Sequence, residues 1–311
     1  MNAFTLALVM LLLMAAGYVA RKTRIVDASF GESMAAFIFN LVFPALILRS
    51  MAGPYRPSEL RNGLILMGIC TGVMGLMYLA GTLVVRLDPR HDAMDRILRF
   101  SLVFPNYTFM AFPVMEALYG QQGLFYVSLY TLPMRIAFYL LGPVLMKAPD
   151  QEARAPIRER LRALLTPPVL TVPVALALYI LEIRLPAPLE KSLDLLAAVA
   201  TPMGMAVSGV LLADAPVGDF LRERRVALAS LLRLVAAPAL VFAILWPLHP
   251  DPQVFRVSVL FSAMPAAAST TIFAVRYRSD PARAAQLVFL STVLSLLTVP
   301  LTAFLLERFV P

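Results

Sequence analysis

Apolar runs of about 18 to 25 residues recur along almost the whole chain, each about as long as a helix that crosses a bilayer. Ten can be marked: 3–20, 33–51, 63–85, 97–119, 122–146, 166–183, 189–213, 226–248, 255–275 and 284–306. In hydrocarbon a chain must satisfy its own backbone polar groups, so runs of this length restrict it to helices. The expected fold class is an all-α polytopic membrane protein with ten transmembrane helices. Composition agrees. Of 311 residues, 60% are hydrophobic and 15% charged, against roughly a quarter charged in soluble domains. The single cysteine, Cys70, rules out an intrachain disulfide.

The first twenty residues carry no charged side chain and are followed by RKTR. A secretory signal has its positive charge before the apolar stretch, so this segment reads as a retained first span. Of the 27 lysines and arginines, eighteen fall in or at the edges of the loops after spans one, three, five, seven and nine. Seven lie in or at the edges of the opposite loops or at the C-terminus, and Arg135 and Arg233 lie deep inside spans. The positive-inside rule then puts both termini on the non-cytoplasmic side, and the expected membrane is a bacterial cytoplasmic (inner) membrane. The same distribution argues that the net charge of +8 is an orientation signal and not a nucleic-acid surface.

Prolines inside the spans recur at nearly one offset. Pro44 and Pro202 are 158 residues apart, Pro105 and Pro265 are 160 apart, and Pro143 and Pro300 are 157 apart. They pair spans two with seven, four with nine and five with ten. The expected organisation is a five-helix repeat over 1–146, a cytoplasmic linker over 147–165 and a second five-helix repeat over 166–311. Five is odd, so the second repeat enters the membrane inverted. Interrupted helices at matching positions of inverted repeats point to a secondary transporter's binding site.

Spans four and nine fit that description. Residues 101–113 read SLVFPNYTFMAFP and residues 262–271 read SAMPAAASTT. Each proline deletes a backbone donor and clashes with the preceding turn, so both spans are expected to break and to cross there. Free amides at a half-helix N-terminus, with the positive end of its dipole, suit a carboxylate. The candidate substrate-binding residues are Pro105, Asn106, Tyr107, Thr108, Pro265, Ser269 and Thr270. A plainer alternative is two kinked helices whose Ser and Thr bond back to carbonyls.

The runs GYVARKTRIVD, FNLVFPALIL, TPPVLTVPVALALYILEIRLP, LLAAVATPMGMAVSGVLLAD and SAMPAAASTTIFAVRY resemble, in order, the auxin efflux carrier family. The resemblance covers essentially the whole chain and includes the family's bacterial members described as malonate or other carboxylate permeases. It implies a sodium/bile-acid symporter-like fold, with a scaffold from helices 1, 2, 6 and 7 and a moving transport unit from helices 3, 4, 5, 8, 9 and 10. It also implies a substrate site at the proline-marked crossover of helices 4 and 9, and homodimers. The joining segment KAPDQEARAPIRERLRALL is much shorter than the central loop of many plant members.

Arg135 lies near the middle of span five, where a charge costs roughly 2.5–3.5 kcal/mol on insertion scales. It reads either as a cation for an anionic substrate, its guanidinium matching a carboxylate fork, or as a structural partner of Glu116. Arg233, about seven residues from a basic loop, is expected to snorkel to the surface. Asn40, one turn before Pro44, is expected to bond a released carbonyl or to line a pathway, with Pro44 and Pro202 as structural or pathway positions. Gly68 and Gly72 are expected to pack tightly within the chain.

An enzyme is the main competing class. His91 and His249 both fall in loops, so no intramembrane histidine pair can hold a metal, and GMAVSG around Ser208 lacks a histidine base. No metal or catalytic residue is expected. The expected function is a secondary transporter of small organic anions, auxin-like or malonate-like carboxylates, working by alternating access. The alternative is a sodium-coupled symporter of bile-acid-like or other amphipathic anions, with a receptor or membrane enzyme behind it. No cofactor is expected; coupling to sodium, to protons or to neither is left open by these residues. The expected partners are the organic anion, the lipid bilayer and a second copy of the chain.

Overall fold

The computed structural model describes residues 3–27, 29–147, 164–214 and 223–310. Most of the expected linker lies outside the described residues, with Arg154, Arg158, Arg160 and Arg162, as does Arg222. The described residues form helices and no strand. In chain order they are α1 (Ala3–Lys22), α2 (Phe30–Ser50), α3 (Pro57–Leu87), α4 (Ala93–Val103), α5 (Tyr107–Met146), α6 (Pro167–Ile180), α7 (Ala187–Ala213), α8 (Arg224–Leu248), α9 (Pro252–Ser262), α10 (Ser269–Arg276) and α11 (Pro281–Phe309). Six of them, α2, α3, α5, α7, α8 and α11, are each long and apolar enough to cross a membrane.

Six differs from the ten apolar runs for local reasons. Proline divides two of the expected spans, giving α4 and α9 only 11 residues each. The remainder of the fourth run merges with the fifth into α5, whose direction breaks at Gly120 (φ 58°, ψ −141°), a conformation open to glycine. Aspartates fix several starts: Asp92, Asp251 and Asp280 each accept backbone N–H groups of the helix that follows. Pro252 and Pro281 occupy first-turn positions, where the missing donor costs nothing.

The chain divides into two compact units, and each takes residues from both halves of the sequence. The first comprises Met1–Met67, Thr108–Leu132 and Leu165–Asp214, so it holds α1, α2, α6 and α7 whole. Its tightest seam joins α1 to α7. A Cβ on Gly17 would overlap the Ala206 carbonyl, and one on Gly209 would overlap the Met14 carbonyl. Arg21 pairs with Asp214 at 2.8 Å at one end of this seam. Elsewhere Arg49 of α2 lies 3.5 Å from Glu116 and 3.3 Å from Asp194, and the Thr201 hydroxyl donates to Glu116 at 2.6 Å. Gln121 covers the end of α2, donating to the Arg49 and Ala52 carbonyls at 3.1 and 3.3 Å. Glu116, offered above as a partner for Arg135, is thus held by Arg49 and Thr201.

The second unit comprises Gly68–Tyr107, Pro133–Leu164 and Ala215–Pro311. Its core includes four rings, Phe100, Phe104, Phe138 and Phe273, with neighbouring centroids 4.9 to 6.0 Å apart. At one end Arg225 pairs with Asp88, Asp92 and Asp95, and Arg283 pairs with Asp92, Glu223 and Asp280. The basic loops after the third, seventh and ninth apolar runs converge here. Partial burial of Asp92 opposes its ionisation, but Arg283, the Met94 amide and Arg225 outweigh that and hold its carboxyl below the usual range. The expectation for Gly68 and Gly72 is corrected: a Cβ at either would touch nothing within 4 Å, so both face outward.

Candidate functional site

The second unit contains the two proline breaks. α4 ends at Val103 and helix resumes at Tyr107, while α9 ends at Ser262 and helix resumes at Ser269. The extended segments between them lie against one another, Pro105 opposite Ala266 in an antiparallel bridge. Asn106 N–H donates to the Pro265 carbonyl at 2.7 Å. The Ala266 amide donates in turn to the Ser291 hydroxyl of α11 at 3.1 Å. Residues 101–107 and 261–267 are all buried, so these bonds pair backbone groups away from the surface.

The geometry follows from the residues. Proline removes the donors that would serve the Ser101 and Phe261 carbonyls. The Ser101 hydroxyl turns back to Leu98 at 3.0 Å and the Ser262 hydroxyl to Val259 at 2.6 Å. Ala263 and Met264 N–H close short turns onto Leu260 and Phe261 at 3.1 and 3.2 Å. Helix resumes at Tyr107 through a π-turn, Tyr107–Ala111, followed by Pro113. π-turns are frequent at functional positions.

Of the sequence-derived candidates, Pro105, Asn106 and Tyr107 meet Pro265 at the crossing. Arg135, 1% exposed, stacks over the Tyr107 ring at 5.3 Å. Ser269 and Thr270 open α10 at the end of the same segment; the Thr270 hydroxyl is buried and makes no hydrogen bond among the described residues. Thr108 is half-buried in the restarting turn and falls in the first unit. Asn40, Pro44 and Pro202 also belong to the first unit. Asn40 is exposed and donates to the Ala36 carbonyl at 2.9 Å, which is not the carbonyl that Pro44 releases.

Arg233 is the residue that sequence reasoning misplaced. It is 2% exposed and does not snorkel. Its Nη1 donates to the Leu102 carbonyl at 2.7 Å and its Nε to the Met264 carbonyl at 2.8 Å. The first lies in the last turn of α4 and the second two residues past the end of α9. Arg233 lies in a π-turn, Leu232–Ala236, just before Pro238. One extra residue shifts helical phase by about 100°, and the proline after such a turn is the available signal.

Charge at the crossing follows. Residues 103–108 and 263–271 contain no acidic side chain. The N-terminal ends of α5 and α10 carry partial positive charge, and Arg135 and Arg233 add two guanidinium groups.

A membrane-embedded, all-helical chain with interrupted helices joined through extended backbone has the build of a membrane transporter. Comparison with known proteins makes the assignment specific: the chain belongs to the membrane transport protein family, that of the auxin efflux carriers, whose profile matches residues 3–303. An uncharacterized transporter of Methanothermobacter thermautotrophicus is 26% identical over 306 residues, 95% of this chain and 96% of that protein. An uncharacterized transporter of Methanocaldococcus jannaschii is 22% identical over 309 residues, 96% of this chain and 97% of that one. A Rhizobium meliloti protein named "Putative malonate transporter" is 25% identical over 286 residues, 89% of this chain and 88% of that one. The chain is an integral membrane transporter and not an enzyme.

Proposed function

We propose that the protein moves small organic anions across the membrane by alternating access, with the carboxylate held at the crossing of residues 105–107 and 265–270. The observation that carries this reading is the Asn106 to Pro265 hydrogen bond at 2.7 Å. It joins two interrupted helices where two new helix N-termini begin, beside the buried guanidinium of Arg135. An anion there meets partial positive charge from two sides and no acidic residue. The bacterial relative named for malonate makes short dicarboxylates the first class to test.

The finer architecture belongs to the same reading: ten spans in two inverted repeats, a scaffold from the first unit and a transport unit from the second, both termini outside the cytoplasm. The proline offsets, the interleaved make-up of the two units and the convergence of basic loops support it. An anion leaving a negative interior gains about 2.3 kcal/mol per charge per 100 mV, enough to drive efflux.

The test is uptake into proteoliposomes of a panel of mono- and dicarboxylates, with sodium, pH and membrane potential varied separately. Saturable flux of at least one carboxylate, reduced by Arg135→Gln at equal protein level, is the expected result. Absence of flux and of thermal stabilisation by every anion in the panel overturns the reading.

A further inference from the structure

Two broken helices in a low-dielectric interior leave carbonyls at their C-terminal ends, and these must find donors. In an unbroken helix Leu102 would accept from Asn106, whose N–H is directed instead to Pro265. Met264 would accept from Ala268, beyond its own break. The breaks thus leave Leu102 and Met264 among the carbonyls without a helical donor, and the two lie close enough to share one guanidinium. Leu102 stands at the negative end of the α4 dipole, and Met264 lies two residues past the same end of α9. In interrupted-helix transporters, unwound carbonyls and half-helix C-termini of this kind hold the coupled sodium ion or proton.

Here that position is filled by a side chain. Arg233 donates to Leu102 and Met264 at 2.7 and 2.8 Å and is buried to 2% exposure. Its two bonds come from one planar fork, with Nε on one helix end and Nη1 on the other, a geometry lysine lacks. We propose that Arg233 is the tethered cation of the crossing: it balances the carbonyl ends that a mobile cation would otherwise balance, and so frees the site from sodium. It is a positioning residue, since it acts through the two backbones that present the site. This rests on the anion-transport reading above, and deepens it by assigning the coupling.

The experiment compares wild type, Arg233→Ala and Arg233→Lys in proteoliposomes, in sodium, potassium and N-methylglucamine media of equal ionic strength, with and without millimolar methylguanidinium. Wild-type flux is expected to be the same in all three media. Arg233→Ala is expected to fall about tenfold or more in N-methylglucamine, the factor for one lost charge-assisted bond, and to recover about threefold or more with methylguanidinium or sodium. Arg233→Lys keeps the charge and stays independent of sodium, which preserves a variant arm if the alanine protein does not fold. Sodium stimulation of wild type or of Arg233→Lys overturns the proposal. So does a folded Arg233→Ala that transports like wild type in N-methylglucamine, or that no cation restores. A merely structural arginine would give that last result. If no carboxylate moves through wild type, thermal melting decides separately: methylguanidinium is expected to raise the melting temperature of Arg233→Ala and leave wild type unchanged, and equal response of the two overturns it.

Discussion

Asn106 gives its backbone N–H to the carbonyl oxygen of Pro265 at 2.7 Å, and the next residue along, Ala266, gives its own N–H to the Ser291 hydroxyl. The second bond is a side-chain support for the first. Ser291→Ala removes the acceptor and leaves a buried amide unpaired, which costs about 1–3 kcal/mol. The expected outcome is a lowered melting temperature in detergent, with Ser291→Thr, which keeps the hydroxyl, closer to wild type. Equal melting of Ser291→Ala and wild type would show that the crossing holds itself together.

Arg135 stacks on Tyr107 within this crossing, so its replacement tests the site and not the fold alone. Arg135→Gln is expected to reduce carboxylate uptake by about tenfold, the loss of one charged hydrogen bond. Arg135→Lys retains part of the uptake. Unchanged uptake by Arg135→Gln at matched protein level would remove this arginine from the substrate path.

The ion-pair cluster around Arg225 makes a prediction about acid stability. The folded-state pKa of Asp92 is lowered, so its contribution is complete above the unfolded value near 3.8 and is lost as pH falls below that through the folded value. Asp92 is about one-third exposed, so the contribution is about 1 kcal/mol or less. Asp92→Asn should flatten that part of the acid limb of a melting curve. Arg225→Gln is the more damaging change, because it leaves Asp95, almost fully buried, without its guanidinium. A loss of about 3 kcal/mol is expected at neutral pH, read as a lower melting temperature.

Gly120 and Gly123 form the corner of α5. Gly120 adopts φ 58° with ψ −141°, and a Cβ on Gly123 would overlap the Met115 carbonyl. Gly120→Ala introduces backbone strain of about 1–3 kcal/mol. Gly123→Ala forces the two arms apart, and both variants should melt lower than wild type. A Gly120→Ala protein as stable as wild type would mean that the corner relaxes without cost.

What could be read in the chain beforehand follows from how local each signal is. The breaks at Pro105 and Pro265 were legible because a proline in an apolar run lacks a donor whatever surrounds it. Their meeting was suggested by the matched offset of 160 residues, and the bridge between Pro105 and Ala266 shows the meeting itself. Arg233 was not legible. Seven residues from a basic loop, it had the spacing of a snorkelling side chain, and only the π-turn with the two vacated carbonyls makes burial preferable. Gly68 and Gly72 failed for the converse reason: a spacing motif says which residues share a face, not what that face meets. The division of apolar sequence into spans was blurred at Gly120, where hydropathy is unbroken and only the backbone turns.

At Gly17 and Gly209, main chain rests on main chain between α1 and α7. Two-state transitions need a surface that can pack in two ways, and at these two points there are no rotamers to exchange. At these two points α1 and α7 hold each other at a fixed distance. Whatever alternates during a transport cycle draws its second arrangement from contacts made by side chains, and substitutions that stiffen or loosen the protein's working motion should be sought there and not along this seam.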